Sequence, residues 1–137
     1  MRRILSILAV SSVLLLAGCA TKTRSDALTT TLTAYGSTLR WGDFQSAEQF
    51  IEPAARAAHP LSKLDIARYQ QVRVSEYDAG AGPVPTGDFD VQQTAQISIV
   101  NLHTQSERTI VDHQTWHYDE KTKHWWLTSG LPDITQD

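Results

Sequence analysis

The chain of 137 residues contains one cysteine, Cys19, and one methionine, Met1. A single thiol excludes an internal disulfide framework and a cysteine-rich metal site, so stability has to come from packing. Basic charge is short as well, with 12 Lys and Arg against 15 Asp and Glu and a formal charge of −3. That excludes the electropositive surface that nucleic acid or anionic headgroups require. The apolar stretch at residues 4–16 is about 13 residues, short of the roughly 20 that a helix needs to cross a ~30 Å hydrocarbon core. No internal repeat occurs, and no biased tract beyond the glycine- and proline-rich residues 80–87. No serine stands in a glycine-flanked nucleophile elbow, and no cofactor motif is present.

What is present begins with Arg2 and Arg3, the apolar stretch, and then the small residues Ala17 and Gly18 before Cys19. This is the layout of an export signal. Leu16-Ala17-Gly18-Cys19 resembles the lipobox of bacterial lipoproteins. The resemblance implies that residues 1–18 are a cleaved signal peptide and that Cys19 becomes a lipidated first residue. It also implies a membrane anchor, since two or three acyl chains at ~0.8 kcal/mol per buried CH₂ make release negligible. Ala20 and Thr21, with no aspartate beside the cysteine, resemble an outer-membrane sorting signal; the periplasmic face of the inner membrane is the alternative. Taking Arg2 and Arg3 from the 12 basic residues leaves ten against 15 acidic ones, a charge of −5 on the mature chain. Residues 19–25 read as lipidated cysteine and tether, in which about six residues reach no further than roughly 21 Å. A single domain follows at 26–133, with a tail at 134–137.

Leu28, Leu32, Tyr35 and Leu39 fall at helical spacing, with Ser25 placed to cap and Asp26 favourable to the dipole. Gly42 and Asp43 then punctuate a second, shorter helix with Phe44, Ala47, Phe50 and Ile51 on one face, stopped by Pro53. Residues 54–64 read as a connector. From Ile66 onward the period is two, and strands are expected at about 67–78, 89–101, 107–118 and 124–129, forming an antiparallel meander.

Alternation puts Phe89, Val91, Ala95, Ile97 and Ile99 on one face of the second strand, an apolar row that Gln93 interrupts. In the third strand Ile110, Asp112, Gln114, Trp116 and Tyr118 share one face, and Val111, His113 and His117 the other. Trp125 and Leu127 oppose Trp126 in the last strand, so one of the two adjacent tryptophans lies at a surface. Trp41 and Trp116 are expected in the core. Helices cover only one side of such a sheet, which leaves the other as an exposed apolar patch or a protein interface.

Arg40-Trp41-Gly42-Asp43-Phe44 between two helices, and the closing run from Trp116 through Trp125-Trp126-Leu127 to Leu131-Pro132, resemble the nuclear transport factor 2-like fold. The resemblance implies an α+β domain of two N-terminal helices on a curved four-stranded antiparallel sheet, cone-shaped with a pocket at its wide end. Members include isomerases, dehydratases and non-enzymatic modules, and many dimerise through the outer sheet face, so the fold alone names no activity.

The pocket implied by the resemblance would hold Tyr35, Tyr69, Asp112, Gln114 and Trp116, with Asp112 as the candidate carboxylate base of an isomerase-type reaction. Against it stands the ordinary role of strand aspartates and ring-packing tyrosines. His113 and His117 point the same way, but four strand residues separate them by about 13 Å, too far to share one zinc. No metal site and no cofactor is expected. Trp125 and Trp126 are the candidate interface, because tryptophan is enriched where partners bind. The leading expectation is a non-enzymatic lipoprotein facing the periplasm that meets a protein partner or its own copy. The alternatives are a module for a small apolar ligand and an enzyme using Asp112.

Overall fold

The computed structural model describes residues 2–136, with side chains from residue 18 onward. Helix α1 (Arg2–Trp41) runs unbroken through the expected tether and the first domain helix. Its inward face is the expected one, with Tyr35 and Leu39 buried and Leu28 and Leu32 packed partly against the core. Ser25 is not a cap. The helix continues upstream of it, and its carbonyl accepts the Thr29 hydroxyl at 3.2 Å. Thr23 and Thr30 bond back in the same way to the carbonyls of Cys19 and Asp26, both at 3.0 Å. Back-bonding of this kind satisfies hydroxyls within a helix. As helix, the six residues 20–25 advance only ~9 Å rather than spanning an extended tether.

After α1 the Asp43 carboxylate accepts from the Ser46 amide at 2.5 Å and opens a short 3-10 turn, η1 (Ser46–Phe50). Phe44, Ala47 and Ile51 are buried, as their spacing predicts. Two helices then replace the expected connector and the start of the expected first strand: α2 (Pro53–Ala58) and α3 (Lys63–Tyr69). Pro53 opens a helix as well as following one, because its missing N–H is no loss at the first helical position. Helix α3 begins with a reciprocal cap. The Asp65 amide donates to Ser62 Oγ at 3.1 Å, and the Ser62 amide donates to the Asp65 carboxylate at 3.2 Å. The bonds from Ser62 hold the Asp65 carboxyl below the usual carboxylate range.

Strands β1 (Val72–Asp78), β2 (Val84–Pro85), β3 (Asp90–Asn101), β4 (Glu107–Asp119) and β5 (His124–Leu127) complete an α+β fold. The four longer strands make a curved antiparallel half-barrel in the order β1-β3-β4-β5, with the helices packed on it. Short β2 pairs with Val91 and Gln92, on the stretch of β3 that β1 does not reach. The inward faces of β3 and β4 are those read from alternation: the residues named for them are buried, except Phe89, which precedes β3 and is only partly buried. In β1 the pairing skips at Ser75, so that Val74 opposes Ile99 and Tyr77 opposes Ile97. Such a bulge turns two residues three apart onto one face.

The outward face of the sheet corrects the expectation of an apolar patch. Ser98 and Thr109 hydroxyls meet at 3.0 Å, Thr94 meets His113 Nδ1 at 3.2 Å, and His117 Nδ1 meets Asp90 at 2.7 Å. Cross-strand polar pairs let this face meet water. The chain end is also packed rather than free. Ile134 is buried, Tyr69 donates its hydroxyl proton to the Pro132 carbonyl at 3.0 Å, and the Arg108 guanidinium donates to the carbonyls of Ile134 and Gln136. The packed unit therefore extends past residue 133. No helix among the described residues is long and apolar enough to cross a membrane.

Candidate functional site

Register places Gln93 opposite Gln114 and Ala95 opposite Asp112 on the concave face. The Gln114 side-chain amide donates to Asp112 Oδ2 at 2.8 Å and to the Tyr77 hydroxyl at 3.0 Å. Its carbonyl accepts from the Trp116 indole at 3.2 Å. The Gln93 amide donates to the Tyr77 hydroxyl and to the Gln114 carbonyl, both at 3.4 Å. Two glutamines thus tie one carboxyl, one phenol and one indole into a network inside the core.

Tyr35 leans on this network from α1. Its ring makes edge-on contacts with Trp116 at 5.2 Å and Phe50 at 5.4 Å. Its hydroxyl is buried and has no hydrogen-bond partner among the described residues. Burial, with the Asp112 charge second, pushes its pKa well above the ordinary phenol value. Tyr69 stands apart from this group. It stacks on Phe44 at 4.7 Å, its hydroxyl is taken by Pro132, and burial followed by Asp65 pushes its pKa up to about 12. Of the five expected pocket residues, Tyr35, Asp112, Gln114 and Trp116 come together and Tyr69 serves α3.

Asp112 is 6% exposed, and desolvation raises its pKa against the lowering effects of the Gln114 bond and of His113. The folded state therefore favours the neutral acid. Its contribution to stability is full below the unfolded pKa of about 3.9 and is lost as pH rises through the folded value. Asp112→Asn keeps an acceptor for Gln114 and removes the buried charge. Urea denaturation at pH 7 should find the variant more stable, by about 1.4 kcal/mol for each unit of the shift, with the advantage vanishing near pH 4. A variant less stable than the parent at pH 7 would mean that the network holds the carboxylate as an ion.

The tryptophans divide differently from expectation. Trp116 is fully buried, as predicted. Trp125 is buried too and leaves the candidate interface, because β5 turns it inward. Its indole donates to the Arg24 carbonyl at 3.1 Å and its ring lies 5.2 Å from Tyr118. Trp126 faces outward, half-buried, with the His124 ring at 4.1 Å. Trp41, expected in the core, is 78% exposed because it closes α1 beyond the last inward position, Leu39. The Arg40 guanidinium lies 5.0 Å above its ring. Cys19 is exposed on α1. No group of three histidine, cysteine or acidic side chains converges on a metal-sized site among the described residues.

Two grooves border α1. One, of about 550 Å³, lies between the start of the described side chains and the residues leading into β3, lined by Thr21, Leu28, Phe89, Val91 and Trp125, with Arg24 over Phe89 at 5.2 Å. The other, of about 320 Å³, lies between α1 and β1, with Tyr77 and Gln93 against Gly36 and Arg40. Asp112 lines neither groove. Sequence reasoning missed Tyr77 and Gln93. The signal for Gln93 was its interruption of an apolar row; Tyr77 was hidden by the bulge at Ser75. Comparisons with protein-family models, curated proteins and solved structures return no match to this chain.

Proposed function

We propose that this chain is a lipid-anchored lipoprotein that faces the periplasm and acts by contact with a protein partner, not by catalysis. The observation that carries the non-catalytic reading is the filling of the concave face. Trp116, Tyr35, Leu127 and Gln114 are all fully buried there, and the one candidate carboxyl is enclosed with them. A general base must come within hydrogen-bond reach of its substrate, and this packing leaves Asp112 no approach. Leu16-Ala17-Gly18-Cys19 supports the anchor, and Ala20-Thr21 supports the outer membrane over the inner one. Helices packed on a curved sheet are what a nuclear transport factor 2-like member would present. Contact with a partner is best served by Trp41, a large apolar ring in water at the end of α1.

The test is complementation of a deletion in the native host. The chain carrying Asp112→Asn is expected to restore the deletion phenotype fully, and Trp41→Ala is expected to fail while melting like the parent. A folded Asp112→Asn variant that fails would make the carboxyl functional. A fully active Trp41→Ala variant would move the contact elsewhere. A second reading, a small-ligand module, is favoured by the groove that reaches Tyr77 and Gln93.

A further inference from the structure

We infer that the groove between α1 and β1 is a binding site for a small organic carboxylate that also carries an O–H or N–H donor. Helix and ring meet closely at the groove because residue 36 is glycine. A Cβ there would stand 2.8 Å from the Tyr77 ring. The glycine lets helix and strand approach while the ring edge and Gln93 stay open to the groove.

The groove carries one cation, Arg40, and no acidic residue lines it. Among the described residues Arg40 has no carboxylate partner; it rests on the ring of Trp41. An unpaired guanidinium at the mouth of an acid-free groove favours an anion, and its fork matches a carboxylate.

The floor supplies a second, independent indication. The Tyr77 hydroxyl oxygen accepts from both Gln93 and Gln114, so its own proton remains to be donated, and no described residue takes it. Burial raises the Tyr77 pKa, which keeps that proton in place. Gln93 is 3% exposed, yet its side-chain carbonyl accepts no hydrogen bond from any described residue. That carbonyl is not sealed off in the core, since Gln93 lines the groove, and it is open to water or to a donor on a bound molecule. Arg40 and the Tyr77 proton call for a carboxylate, and the Gln93 carbonyl calls for a donor on the same molecule. About 320 Å³ falls at the small end of ligand sites, which suits a hydroxy acid or an amino acid.

The proposal rests on the second reading above, the small-ligand module, and stands independently of the anchor. Its test is titration of the ¹⁵N-labelled full chain in detergent with lactate, following the Arg40 Nε–H and Gln93 side-chain amide signals. Acetate supplies the carboxylate without the donor, and ethylene glycol supplies donors without the carboxylate. Lactate should shift both signals along one saturable curve, with acetate about tenfold weaker and glycol without effect. Arg40→Gln, at an exposed position that leaves the fold intact, should abolish saturation, and Arg40→Lys should restore part of it. No saturable shift with lactate, or an unchanged response in Arg40→Gln, would overturn the site. Acetate equal to lactate would remove the donor requirement, and glycol equal to lactate would remove the anion.

Discussion

Replacing Trp116 by alanine is expected to lower the folding free energy by about 3–5 kcal/mol, the largest effect of any single side chain in the core. The indole is fully buried on β4, opposite Val91 on one side and Leu127 on the other. It supports Tyr35 edge-on from below and donates to the Gln114 carbonyl. Alanine would leave a cavity, and it would also leave that carbonyl one donor short. Against the 5–15 kcal/mol that holds a typical domain together, such a loss takes the protein to the edge of unfolding. Urea denaturation followed by circular dichroism measures it, with Trp41→Ala as the comparison. The exposed Trp41 should change stability by no more than about 0.5 kcal/mol. A cost below about 1 kcal/mol at Trp116 would mean that the concave face is not the rigid core described above.

Replacing Cys19 by serine is expected to shift the protein from the membrane fraction to the soluble one. On the proposed lipidation, two or three acyl chains at ~0.8 kcal/mol per buried CH₂ would hold the chain beyond any practical dissociation, and serine cannot form the thioether. Mass spectrometry of the parent should show the added lipid and a mature chain starting at residue 19. Retention of Cys19→Ser on membranes would transfer the anchoring role to the apolar stretch at 4–16, left uncleaved. The acidic mature chain offers no charge attraction that would mask the result.

The inner faces of β3 and β4 were legible because a half-buried antiparallel strand writes its burial in every second residue. Even Asp112 and Gln114 were placed on the correct face. Helix α3 was missed although Ser62 and Asp65 carry its start signal, because the alternating residues after Ile66 outweighed a two-residue cap. Tyr77 was missed for a different reason. A bulge adds one residue to one strand, and periodicity cannot register an insertion whose cause is the partner's register. Trp41 was read as core from its size alone, whereas its position one step past Leu39 decides that it points to water. The grooves were illegible because they depend on how α1 lies across β1, and that depends on a contact between Gly36 and Tyr77 some forty residues apart.

The grip of Arg108 on the carbonyls of Ile134 and Gln136, with Tyr69 on Pro132, also sets the order in which the protein can be made. An exported chain of the proposed kind crosses the membrane unfolded from its amino end, so α3 and most of the sheet would arrive before the segment that seals them. Until residue 134 has emerged, the inner ends of β1 and β4 lack their cover and the core stays open to water. Removal of residues 134–136 should therefore open this end of the core to proteases.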